Sequence, residues 1–159
     1  MVVLTHRPER ARRLHEELRF WLGEAERVLL FPESEAMPFE RLAVDEGTVH
    51  GRLRVLGRLQ ALKDGRGNGV SSVVIIASIQ SAVQRTLSPA LMEQGSHRLA
   101  VGQRLKVGSL LLRWDKLGYR MEAMVETPGT ASRRGGILDV FPPDLETPAR
   151  VELIGDRIE

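Results

Sequence analysis

No cysteine occurs anywhere in the chain, which excludes disulfides, thiolate zinc sites and cysteine nucleophiles together and suits a reducing compartment. Aromatic residues make up 4% of the sequence, too few to furnish the stacked platforms on which single-stranded nucleic acids lie. The longest apolar run, Val70 to Ala77 interrupted by Ser71 and Ser72, is far short of the ~20 residues a membrane span needs. The opening residues, Met1-Val2-Val3-Leu4, enter a buried-strand pattern directly, without the basic segment or cleavage site of a signal peptide. These absences predict a cytoplasmic location and no membrane partner.

The chemistry of catalysis is equally scarce. A phosphate-cradling nucleotide loop needs glycines followed by Lys and Ser or Thr, and no such string occurs. Its nearest look-alike, Gly65-Arg66-Gly67-Asn68-Gly69, stands before a strand instead of after one, so it does not aim a helix N-terminus at a pyrophosphate. The histidines His6, His15, His50 and His97 are too far apart for a helical metal pair and read as surface residues. Ser71, Ser72, Ser78 and Ser81 lack a nucleophile-elbow context. Glu33, Glu35 and Glu40 fall in an acidic, proline-bearing loop, where carboxylates more often serve solubility than acid-base catalysis. The expectation is a chain without catalytic residues, cofactor or metal.

What is present is an ordinary globular composition, 159 residues with 42% hydrophobic and 28% charged, enough for one or two small domains. The net charge is only +2, yet the signs are segregated along the chain. Phe31 to Val49 carries five acids and one base, Gly95 to Arg134 eight bases and three acids, and Gly135 to Glu159 six acids and two bases. A basic stretch beside an acidic one favours a partner of matched charge over a uniformly anionic polymer. Arg98, Arg104, Lys106, Arg113, Lys116, Arg120, Arg133 and Arg134 keep direct DNA binding open as the rival reading.

Hydrophobic periodicity predicts strand, helix, strand, helix, strand, helix across the first part of the chain. Val2 to Leu4 begins it, then Pro8 opens a helix in which Ala11, Leu14, Leu18, Trp21 and Leu22 recur at helical spacing and which Gly23 ends. Val28 to Phe31 is a second strand. Val49, Leu53, Leu56, Leu59 and Leu62 mark a second helix with Arg52, Arg54 and Arg58 on its other faces. Val70 to Ala77 reads as a strand buried on both sides, and Ser78 as an N-cap.

Past Pro89 the pattern predicts a strand at Arg98 to Val101, a helix from Val107 to Leu117, and a half-buried strand from Tyr119 to Val125. Two further strands, Ile137 to Phe141 and Arg150 to Ile154, complete an antiparallel sheet with one helix against it. The boundary falls near residue 94. An unfinished parallel sheet exposes an edge that can pair with a second copy. Because the last residues, Leu153 to Glu159, read as a strand continuing onward, the chain is expected to be part of a longer protein.

The segment Pro128-Gly129-Thr130-Ala131-Ser132-Arg133-Arg134-Gly135-Gly136-Ile137-Leu138-Asp139-Val140-Phe141-Pro142, followed by Arg150-Val151-Glu152-Leu153-Ile154-Gly155-Asp156-Arg157-Ile158-Glu159, closely resembles the UvrB-like region of bacterial transcription-repair coupling factors. Other stations follow in the family's order. Pro32 to Glu40 resembles its acidic-aromatic loop, Val73 to Arg85 its strand and Gln-Arg helix, and Leu117-Gly118-Tyr119-Arg120 its Gly-Tyr-Arg strand start. Thr130 and Ala131 stand where the family usually carries Glu and an aromatic residue.

The resemblance implies an α/β fold: residues 1–94 a partial parallel-sheet, helicase-like lobe of the degenerate P-loop NTPase kind, and residues 95–155 a small α+β domain with an antiparallel sheet. Residues 156–159 would begin a return to the first lobe. It further implies a non-catalytic stretch that docks the damage-recognition protein UvrA and recruits it to stalled RNA polymerase. The longer protein would be an ATP-dependent translocase that also binds RNA polymerase and duplex DNA. Motif by motif, Arg120, Arg134, Phe141, Arg150 and Glu152 are the residues carried over to the partner surface. Phe141 also suits a core position, and Arg150 and Glu152 also suit a surface charge pair of little energy. The alternative is a DNA-binding module of an excision-repair helicase like UvrB, whose ATPase would need a P-loop that this sequence lacks.

Overall fold

The computed structural model describes residues 1–23, 27–34, 45–65 and 72–159. Most of the acidic loop, the glycine-rich connection beyond Gly65, and Val70-Ser71 at the head of the strongest strand run lie outside the described residues. The chain forms two compact units, Met1–Met92 and Glu93–Glu159.

In the first unit, β1 (Val2–Thr5), β2 (Val28–Phe31) and β3 (Val74–Ser78) form a parallel sheet in the order β1-β3-β2. Helix α1 (Pro8–Leu22) starts with proline at its first turn, where the missing N–H costs nothing. It ends at Gly23, whose φ of 64° fits the left-handed cap and whose N–H donates to the Arg19 carbonyl. Ala11, Leu14 and Leu18 pack on one sheet face over Val28 and Ile76. Helix α2 (Glu46–Lys63) covers the other face, with Val55 and Leu62 against Leu29, Phe31 and Ile75. Burial from both sides is why β3 is an almost unbroken apolar run. The short helix α3 (Ile79–Val83) follows, its first turn capped by the Ser78 hydroxyl, which accepts from the Ser81 N–H.

The orientation of α2 departs from its leucine spacing. Val49 and Leu59 are 37% and 41% exposed, whereas Arg52 is buried with Val55. The cause is a polar knot at the carboxyl end of the sheet. The Arg52 guanidinium lies 4.1 Å over the Phe31 ring and donates to the Pro32 carbonyl at 2.8 Å and the Gln84 Oε1 at 3.2 Å. Longer contacts reach the Ser81 and Arg85 carbonyls. The Gln84 amide in turn pairs both ways with the Ser34 backbone, each bond 2.9 Å. One guanidinium thus satisfies carbonyls on two segments, and that gain outweighs burying one more leucine edge.

Helix α4 (Pro89–Gly95), which the periodicity did not predict, spans the division between the units. In the second unit, α5 (Val107–Lys116) packs on a five-stranded sheet ordered β4-β5-β6-β7-β8. Its strands are β4 (Arg120–Met121), β5 (Thr130–Arg134), β6 (Ile137–Phe141), β7 (Ala149–Ile154) and β8 (Arg157–Ile158). All neighbours are antiparallel except β4 and β5. The core gathers around Trp114, 1% exposed, with Leu105, Leu110, Ala131, Leu138, Val140 and Ile158. Trp114 stacks on Tyr119 at 5.7 Å between centroids, and its indole N–H donates to His97 Nε2 at 3.0 Å. Burial pushes the Tyr119 phenol up to about 12.

Three expectations for this unit are corrected. Arg98 to Val101 is not a strand, because the open edge of β8 pairs with the residues that follow it instead: the Gly102 N–H donates to the Ile158 carbonyl, the Leu105 N–H to the Asp156 carbonyl, and Arg104 bridges to Arg157. The expected strand over Tyr119 to Val125 shrinks to the two residues of β4, parallel to β5, and Met121 and Met124 are exposed. Residues 156–159 stay within this unit, with Arg157 and Ile158 paired to Ile154 and Leu153, and Ile158 in the core.

Candidate functional site

Strand alternation sorts the second unit's sheet into two faces. Ala131, Leu138, Val140 and Val151 turn toward α5 and the core. Register then aligns the opposite face in columns: Arg134 beside Ile137 beside Glu152, Ser132 beside Asp139 beside Arg150, and Arg120 beside Thr130 beside Phe141. All five residues singled out from the sequence, Arg120, Arg134, Phe141, Arg150 and Glu152, therefore share that face. Four of them are exposed at the surface, and Phe141 is not.

Phe141 is 9% exposed and Thr130 beside it is fully covered. The Thr130 hydroxyl donates to the Thr127 carbonyl at 2.6 Å and the Gly129 N–H to the Phe141 carbonyl at 2.7 Å, which lays the 127–129 segment across that end of the sheet. Phe141 thus lies beneath the surface of that face. Arg120 pairs with Glu122 at 3.4 Å.

The organising group, which the sequence reading passed over, is Asp139 on the central strand β6. Its carboxylate accepts from Arg150 at 2.7 Å through Nε and 3.1 Å through Nη2, a bidentate fork, and lies 3.7 Å from Arg134 Nη2. The Arg150 hydrogen bond, with the charges of Arg150 and Arg134, holds the Asp139 carboxyl below its ordinary range. The same bond raises the Arg150 guanidinium. A depression of about 290 Å³ opens between the 124–126 loop and Pro148, floored by Arg134, Asp139 and Arg150. Ile154, 72% exposed, continues the alternation from Arg150 and Glu152 on the same face. That two-residue step was the signal by which it could have been found.

The rival basic surface does not gather in this way. The eight basic side chains from Arg98 to Arg134 are exposed but spread over loops, α5, β4 and both sides of β5. Arg113 is committed to the Gln94 and Ser96 carbonyls, and Arg133 and Arg134 point to opposite faces as strand neighbours must.

In the first unit, the carboxyl end of a parallel sheet is where α/β proteins place ligands. The described residues leave a cavity of only about 10 Å³ there, lined by Pro8, Phe31, Glu33 and Ser78, space for about one water. The Ser78 hydroxyl donates to Glu33 Oε2 across it at 3.0 Å.

None of the four histidines is buried, but two have partners: His15 Nε2 lies 3.2 Å from the Val28 carbonyl and the exposed His97 accepts from Trp114. Partial burial lowers the pKa of both rings. Among the described residues there is no cluster of three metal-ligating side chains and no helix long and apolar enough to cross a membrane.

A fold with a parallel sheet in one unit and, in the other, an antiparallel sheet presenting charged residues on its open face defines a mixed α/β protein. Residues 98–159 match the family model of the UvrB interaction domain. The chain is 35% identical over 156 residues to the transcription-repair-coupling factor of Myxococcus xanthus, covering 95% of this chain and 12% of that one. It is 37% identical over 158 residues to that of Mycobacterium tuberculosis, covering 99% and 12%. To UvrABC system protein B of Thermotoga neapolitana it is 28% identical over 123 residues, covering 77% and 18%. The chain belongs with the UvrB-like regions of transcription-repair coupling factors, and it spans about one eighth of the length of those relatives.

Proposed function

We propose that this chain docks UvrA through the open face of its antiparallel sheet and, within a longer coupling factor, recruits that protein to stalled RNA polymerase. The observation that carries the reading is the register that sets Arg120, Arg134, Arg150 and Glu152 on one face inside the span matching the UvrB interaction domain. Guanidinium forks beside a carboxylate and an exposed Ile154 supply polar anchors and an apolar contact together, a composition suited to a protein partner.

Residues 1–94 serve as a helicase-like lobe of degenerate P-loop type. In this reading the lobe is a scaffold, without catalysis or cofactor in this stretch. Residues 95–155 form the docking domain. ATP-driven translocation on duplex DNA and attachment to RNA polymerase belong to the rest of the longer protein, which works in the cytoplasm.

The test is binding of the 159-residue chain to purified UvrA at moderate salt, beside Arg134→Ala, Ile154→Asp and a duplex DNA control. Loss of binding in variants that keep the wild-type circular dichroism, with little affinity for DNA, supports docking. No binding to UvrA, with DNA binding that falls steeply as salt rises, refutes it and favours a phosphate-binding lobe.

A further inference from the structure

The charge arrangement around Asp139 goes beyond a list of contact residues. Asp139 occupies the middle strand and its side chain is 13% exposed, whereas those of Arg134 and Arg150 are 66% and 57% exposed. A carboxylate fixed by the sheet therefore holds two long side chains that solvent would otherwise leave mobile. Both arginines reach the same oxygen, Oδ2, through Nη2. Two guanidiniums that would repel each other are kept side by side.

Each guanidinium carries five N–H donors, and the bidentate bond of Arg150 uses the one on Nε and one of the two on Nη2. Donors on Nη1 remain for another acceptor. One carboxylate against two arginines leaves a positive charge uncompensated within the trio. Glu126 at the rim of the depression is the other carboxylate lining it, and Glu152 stands one column away. The loop residues Met124 and Val125, with Pro148, add an apolar wall.

We infer that Asp139 is a positioning residue that holds Arg134 and Arg150 as a preformed pair whose outward N–H groups seat a carboxylate side chain of the docking partner, beside the apolar wall of the depression. The inference rests on the docking reading above and names the chemistry of the contact: an acidic side chain with an apolar neighbour. Preforming the pair lowers the side-chain ordering cost of association. It also gives Asp139 an effect opposite to its charge, since a carboxylate that merely neutralised the surface would weaken attraction for an acidic partner.

The experiment compares the 159-residue chain with Asp139→Asn, Arg150→Lys and the double variant, in titrations against UvrA, with arginine Nε–H resonances followed by NMR in the free proteins. Asp139→Asn should bind at least about fivefold more weakly, although it makes the face more positive. The slowly exchanging Arg150 Nε–H resonance should disappear. Arg150→Lys keeps the charge but not the fork and should weaken binding similarly, with no further loss in the double variant.

Equal or tighter binding by a folded Asp139→Asn chain overturns the inference, as do fully additive losses in the double variant. If the wild-type chain itself fails to bind UvrA, the docking reading falls and the inference with it. Wild-type binding that is unchanged by Asp139→Asn removes the inference alone.

Discussion

Truncation of Arg52 to alanine removes the centre of the polar knot at the carboxyl end of the parallel sheet. The two best-placed acceptors, the Pro32 carbonyl at 2.8 Å and Gln84 Oε1 at 3.2 Å, lose a charged donor, and a net hydrogen bond to a charged group contributes about 1.5–3 kcal/mol. The stacking over Phe31 at 4.1 Å adds about 0.5–1 kcal/mol. Against this stands the cost of burying the guanidinium, whose pKa burial lowers, and water will reach part of the vacated site. The net loss is about 2 kcal/mol, roughly a 30-fold shift toward the open state.

Native-state hydrogen exchange of the β2 and β3 amides reads that loss where it occurs, without averaging over the second unit. Exchange should accelerate by about that factor in Arg52→Ala, and by less in Arg52→Lys, which keeps a cation but not the planar fork. An Arg52→Ala chain whose β2 and β3 amides exchange within about twofold of wild type refutes the reasoning. It would show that water serves these carbonyls as well as the guanidinium does.

Gly136→Ala should cost about 1–3 kcal/mol, read from the urea midpoint, because an added Cβ would come within 2.7 Å of the Leu153 carbonyl, a backbone atom that cannot swing aside. Ser78→Ala removes both the cap on α3 and the bond to Glu33, and thermal melting should show a loss of about 1 kcal/mol; an unchanged melt would mean that neither bond contributes. Stability should also depend on acidity through His15 and His97, whose rings burial keeps below the ordinary value of 6.5. The unfolded chain then binds more protons, so stability is full above that value and falls as pH drops below it toward the folded pKa values. Asp45 and Asp139, held low, lose their contribution only in a separate window below the ordinary carboxylate value of 3.8. Urea midpoints measured from about pH 8 to pH 5 should decline, and the decline should flatten in a His15→Asn, His97→Asn chain; a level wild-type profile would contradict the burial of the two rings.

The docking reading and the cost of Gly136→Ala depend on the same feature, the rigidity of the second unit's sheet. Strand β6 puts Leu138 and Val140 into the core and Asp139 between them on the opposite face. The side chain that positions the arginines is thus fixed by its neighbours' burial, and a register slip would carry it into the core.

Local information determined the elements whose burial follows from their own spacing. Helices α1 and α5, strands β1, β2, β3, β6 and β7, the Gly23 stop and the Ser78 cap were all legible, since their apolar periods and capping residues act within a few positions. So was the absence of nucleotide-loop and thiol chemistry, which needs particular residue types. Four of the five carried-over residues turned out exposed together on one face, because their two-residue spacing within β7 and their place in β5 and β4 express the same period.

Tertiary structure decided what depends on partners distant in sequence. Arg52 is buried because the Pro32 and Gln84 acceptors happen to meet it, 20 and 32 positions away. Arg98 to Val101 stays out of the sheet because residues 102–105 take the free edge of β8, and Phe141 is covered because the segment through Thr127 and Gly129 crosses it. The central role of Asp139 likewise emerges only when β5, β6 and β7 align, since a carboxylate becomes a clamp only when register sets an arginine on either side of it.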